Sequence, residues 1–132
     1  MNTKQLTYTK QTTKTVPQAA EALTEALKPK NFGVLNTVNV SKIIKEKLGK
    51  TVDEYLIMEV CNSKDADYAL SKHKEIGLML PCKIIVYKDK DKTLVSLYRP
   101  TEALKTLGFT DLDALAQEVE DKLEQAIDLV AT

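Results

Sequence analysis

The 132-residue sequence has no tryptophan, one histidine, two cysteines, four glycines and four prolines. So few cysteines exclude a disulfide-stapled mini-domain, and a single imidazole excludes a histidine-rich metal site. Low Gly and Pro content, with no low-complexity run, excludes collagen-like, linker-dominated and disordered chains. Nineteen Lys plus Arg balance nineteen Asp plus Glu, so the formal net charge is zero. No global field then draws the chain to a polyanion, and we expect neither nucleic acid nor a membrane as partner. Arg99 is the only arginine, which removes most of the planar forks that read phosphate and guanine. No apolar stretch approaches the roughly 20 residues of a membrane span. Residues 1–15 are polar and Thr-rich, without the apolar core of a signal peptide. A cytoplasmic protein is expected, in which Cys61 and Cys82 remain thiols. Their spacing fits no zinc-finger or CxxC pattern.

What is present is the composition of one globular domain spanning residues 1–132, with 43% hydrophobic and 29% charged residues. Residues 6–15 alternate as a strand, with Leu6, Tyr8 and Val16 on one parity. Thr15 can cap a helix carrying Ala20, Leu23 and Leu27, with Pro17 in its first turn and Pro29 barring its continuation. Phe32, Val34, Val38 and Val40 share a parity and predict a second strand, interrupted by Asn36. Ser41 can cap a short helix that Gly49 ends in the left-handed conformation. Residues 55–61 are apolar on both parities and predict a strand central in its sheet, in which Glu59 must find a partner. Asn62 and Ser63 can cap a helix from Lys64 to about Glu75, with a stripe of Ala66, Ala69, Leu70 and His73 and Gly77 as its stop.

Cys82 to Lys88 and Thr93 to Tyr98, separated by Asp89-Lys90-Asp91-Lys92, predict a hairpin with a solvated, charge-alternating tip. Pro100 ends the second arm, and residues 101–107 can form a helical turn or two before Gly108. Thr110 can cap a long final helix, in which Leu112, Leu115, Ala116, Val119, Leu123, Ala126, Ile127 and Val130 recur at helical steps. An α+β two-layer fold, with helices on one face of a mainly antiparallel sheet, buries these stripes economically.

Two blocks carry a resemblance. Tyr55 to Asn62, followed by Ala66 and Ala69-Leu70, and Gly77-Leu78-Met79-Leu80-Pro81-Cys82, supported by Phe32-Gly33-Val34, resemble the domain-of-unknown-function family 302 over most of the chain, residues 16–129. Ser63 stands where that family's Cys-Asn-Pro signature has proline, and Arg99-Pro100 where Asp-Pro or Asn-Pro is common. The resemblance implies a TATA-binding-protein-like topology, strand-helix-four strands-helix, in a homodimer, without an established activity. The topology label implies no DNA binding.

The residues themselves suggest one candidate site. Cys61 ends a buried strand and Cys82 begins the next, so an antiparallel layout can bring both to one end of the sheet. With Asn62 and Pro81 beside them and His73 on the intervening helix, a small-ligand pocket is expected, or a metal held by Cys61, Cys82 and His73 with Glu59 nearby. Each residue also has a structural reading: Cys61 and Cys82 as packing, His73 as a hydrogen-bonded core residue, Asn62 as a cap, Pro81 as a turn. Arg99 can clamp an anion, although a lone arginine is more often a solvated charge. A thiol-based redox or enzymatic role for either cysteine is the second hypothesis. The third is an interaction module whose open sheet face is covered by a partner chain. No Ser/His/Asp set, phosphate loop, HExxH or EF-hand pattern stands in the chain.

Overall fold

The computed structural model describes residues 3–132; Met1 and Asn2, the start of the polar N-terminal stretch, lie outside it. After a helical turn, α1 (Thr3–Leu6), the chain forms β1 (Thr7–Thr12), α2 (Val16–Leu27), β2 (Gly33–Asn39), α3 (Val40–Leu48), β3 (Tyr55–Cys61) and α4 (Ser63–Lys72). It continues through β4 (Cys82–Asp89), β5 (Lys92–Tyr98), α5 (Pro100–Leu107) and α6 (Asp113–Ala131). The five strands make one antiparallel sheet in the order β1-β5-β4-β3-β2. This is the expected α+β architecture: strand, helix, four strands, helix, with α3, α4 and α5 added. No helix among the described residues is long and apolar enough to cross a membrane.

The layers follow from side-chain parity. Met58 and Val60 of β3, Ile84 and Val86 of β4, and Val95 and Leu97 of β5 face Leu23 and Leu27 of α2 and Leu123, Ile127 and Val130 of α6, all buried in one core. Burying each such side chain contributes roughly 1.5–3 kcal/mol. Both helices are amphipathic and pack on each other as well as on the sheet. A second, smaller cluster joins Ala69 of α4, Ile76, Leu104 of α5, and Leu112 and Ala116 at the start of α6.

Several local expectations hold. The Thr15 hydroxyl accepts from the Gln18 backbone N–H at 3.3 Å while the Gln18 side-chain oxygen accepts from the Thr15 N–H at 3.0 Å, a reciprocal cap. Asp89 pairs with Lys92 across the hairpin, leaving Lys90 and Asp91 at its tip. Gly49 and Gly108 end α3 and α5 with φ of 65° and 79°. Such left-handed positions favour glycine because a Cβ is strained there.

Other expectations are corrected. The middle strand is β4, and β3 lies one place from the β2 edge, because the β4–β5 hairpin and β1 add three strands on one side of it. The α3 cap is Asn39, whose Oδ1 accepts from the Lys42 N–H at 3.0 Å; Ser41 instead donates to Asn39 Oδ1 at 2.7 Å and accepts from the Tyr55 N–H. Asn36 follows a register shift in β2 and donates to Glu59 Oε1 at 3.1 Å, which accounts for both interruptions of the apolar pattern. Helix α4 stops at Lys72: His73 is extended, and a 3-10 segment, Lys74–Leu78, contains Gly77 rather than ending on it. Thr110 starts a separate 3-10 turn and does not cap α6.

Candidate functional site

Antiparallel pairing of β3 with β4 places Val60 directly opposite Cys82, and Cys61 is the next residue along β3. Residues 21 positions apart in sequence thus meet at one end of the sheet. Asn62 turns the chain from β3 into α4: its Oδ1 accepts from the Asp65 N–H at 3.1 Å and its backbone carbonyl from the Ala66 N–H at 2.9 Å. On the other side Pro81, after a cis peptide bond, leads into β4.

Between this end of the sheet and helices α4, α5 and α6 lies a cavity of about 280 Å³. It separates the main core from the smaller cluster, and Val60, Val119, Leu104, Leu80 and Ala69 contribute apolar wall. Four of the residues singled out by sequence, Cys61, Asn62, Pro81 and Cys82, line it.

His73 is not brought to this cavity. Its Nε2 lies 2.8 and 3.0 Å from the two carboxylate oxygens of Asp111, and its ring stacks on Phe109 with centroids 4.1 Å apart. The hydrogen bond from His73 holds the Asp111 carboxyl below its usual range. Glu59 is engaged by Asn36 and lies 3.7 Å from Lys83 Nζ. Among the described residues no group of three or more His, Cys, Asp and Glu side chains could hold a metal ion. The set of Cys61, Cys82 and His73 is therefore not assembled. The helix that was to carry His73 inward ends one residue before it, and Asp111 and Phe109 hold the ring elsewhere.

Both thiols are harder to ionise than an ordinary cysteine. Burial, reinforced by the nearby Asp65 carboxylate, raises the Cys61 thiol. Burial, reinforced by Cys61, pushes the Cys82 thiol up to about 11. The thiolate, which is the nucleophile and metal ligand, is thereby disfavoured.

A family model described as domain of unknown function DUF302 matches residues 8–130. The chain belongs to this family. The crystal structure of an uncharacterized conserved DUF302 protein from Bacillus stearothermophilus is similar, with a TM-score of 0.89 and 29% sequence identity over 94% of this chain and 97% of that one. No curated protein matches the chain. In this DUF302 chain the two blocks that carried the resemblance form two adjoining walls of the cavity, and Ser63, in the proline position, is the first residue of α4.

Two carboxylates with oxygens removed from water were not singled out from the sequence. Asp65 lines the cavity, and its Oδ2 is buried with no hydrogen-bond partner. A signal for it was present: Asn62, Asp65, Ala66 and Ala69 recur at helical spacing, which puts a carboxylate into an otherwise small, apolar stripe. Glu120, 2% exposed on α6, accepts from the Thr101 backbone N–H at 3.0 Å and the Thr101 hydroxyl at 2.7 Å. Arg99 Nε donates to its other oxygen at 3.3 Å and a terminal guanidinium nitrogen donates to the Gln5 carbonyl at 2.6 Å. Arg99 is thus occupied in joining β5, α6 and the N-terminal turn, and it does not stand free to clamp an anion.

Proposed function

We propose that this DUF302 domain binds a small, largely apolar molecule in the cavity between the end of β3–β4 and helices α4, α5 and α6. The observation that carries this reading is the cavity itself, about 280 Å³ and walled mainly by hydrocarbon with a few polar groups at one side. Ligand pockets start at roughly 300 Å³, and an apolar cavity of about 150 Å³ already takes benzene. Burial, which raises both the Cys61 and the Cys82 thiol, favours a role for them as wall rather than as redox or nucleophilic groups. A metal would need ligands beyond these two thiols. The test is titration of ¹⁵N-labelled protein with hexanol: shifts should concentrate at the amides of Ala66, Ala69 and Leu104, and Ala66→Leu should suppress them. A spectrum indifferent to hexanol would remove the reading.

A second reading concerns assembly in the cytoplasm. On the sheet face turned away from α2 and α6, Ile57 pairs with Ile85, and the Tyr55 and Tyr87 rings stack at 5.4 Å. Glu59 pairs with Lys83, and Asp89 with Lys92, so these charges cancel across the face. A second copy of the chain, related by a twofold axis, would meet apolar surface without net repulsion. Sedimentation should give a dimer that Ile85→Lys dissociates; a monomeric parent protein at micromolar concentration would end this reading.

A further inference from the structure

An ionised carboxylate only accepts hydrogen bonds, and burying one of its oxygens without a donor is unfavourable. Asp65 Oδ2 is the only such buried side-chain atom without a partner among the described residues. Protein cations do not relieve it. Lys83, which also lines the cavity, has Glu59 as its ion-pair partner, and no ion pair to Asp65 forms among the described residues. The local backbone does not relieve it either: the Asp65 N–H is taken by Asn62 Oδ1, and the neighbouring thiol of Cys61 is a weak donor. The position in the first turn of α4 lets the helix dipole stabilise the negative charge but supplies no donor to Oδ2.

Resting on the reading of the cavity as a small-molecule site, we propose that its ligand is a primary amine with a short hydrocarbon body, whose ammonium group donates to Asp65. The two ends of such a molecule match the two parts of the site. The ammonium brings both the missing hydrogen and a compensating charge, and hydrogen bonds between ionised partners are the strong ones. The hydrocarbon fills the wall formed by Ala66, Ala69, Leu80, Leu104 and Val119. The volume limits the body to a few carbons or one ring. An anionic ligand is disfavoured, because its charge would face the Asp65 carboxylate across a space walled mainly by apolar groups.

Hexylamine, hexanol and hexanoate, equal in chain length, separate this inference from the cavity reading when titrated into the ¹⁵N-labelled wild type and Asp65→Asn. Hexylamine should bind about tenfold tighter than hexanol to the wild type, hexanoate weakest, and Asp65→Asn should remove the amine's advantage while leaving hexanol binding in place. If hexanol binds and hexylamine binds no tighter, or if the preference survives in Asp65→Asn, the amine assignment is overturned while the apolar cavity stands. If none of the three binds, both fall. Retained hexanol binding also shows that Asp65→Asn is folded.

Discussion

Glu120 and Asp65 are carboxylates on two helices that border the cavity, α6 and α4, both with oxygens removed from water, yet their surroundings are opposite. Glu120 is met by the Thr101 backbone N–H, the Thr101 hydroxyl and the guanidinium of Arg99. Asp65 has one oxygen in the wall of a cavity with no donor. A buried carboxylate with its full set of donors fixes chain segments to one another; one left short of a donor is a site at which an incoming molecule can supply what the fold does not. The region around Glu120 is thus a structural joint, holding the β5–α5 corner against α6. The region around Asp65 is where we propose that a ligand's ammonium binds.

That contrast should appear first in stability. Glu120→Ala strips the acceptor from three donors and should cost about 3 kcal/mol in urea unfolding. Asp65→Ala should do the reverse, leaving the protein between unchanged and about 1 kcal/mol more stable, because it removes a buried carboxylate oxygen that has no donor. Equal losses in the two variants would erase the distinction.

An exposed carboxylate extends the comparison to a third environment. The Tyr8 hydroxyl donates to Asp128 at 2.6 Å, and that bond, before burial, pushes the Tyr8 pKa from 10.0 to about 12. The folded state therefore favours the protonated phenol. The stability this contributes is complete below pH 10 and is lost as the pH rises from 10 to 12. Wild type and Tyr8→Phe compared by thermal unfolding should differ below pH 10 and converge across that window. The smallest effect belongs to Cys61, whose thiol is raised by burial and then by Asp65. In Asp65→Asn its alkylation by iodoacetamide at fixed pH, followed by mass spectrometry, should quicken about threefold. Cys82 should remain the slower cysteine in both proteins, since its burial, which pushes the thiol up to about 11, does not depend on Asp65. An unaltered Cys61 rate would mean that the carboxylate exerts no field on the thiol.

Legibility followed the range of the interactions concerned. The Thr15 cap, the Asp89–Lys92 hairpin and the Asn62 turn are held by residues within a few positions of each other, and all could be anticipated. The α6 stripe was equally plain, because 3.6-residue periodicity over five turns has few alternatives. Helix α4 ends three residues before its apolar periodicity predicts, because what turns His73 out of the helix, Phe109 and Asp111, lies more than thirty positions downstream. Arg99 looked like a solvated charge for the same reason, since Glu120 is 21 residues away and Gln5 is 94. An antiparallel layout can bring the two cysteines to one end of the sheet, as the β3–β4 pairing does, but their spacing carries no information about the cavity between them and α5 and α6.

By itself the sequence determined the α+β class, the amphipathic faces and the family, because periodicity, capping and short apolar blocks are properties of contiguous residues. Only the tertiary structure decided that His73 lies apart from the cysteines, that Arg99 is tied to Glu120, and that Asp65 has an oxygen without a donor. Those outcomes depend on which groups distant segments bring, or fail to bring, within hydrogen-bonding distance. That distance is set by how helices and sheet pack, and no window along the chain records it.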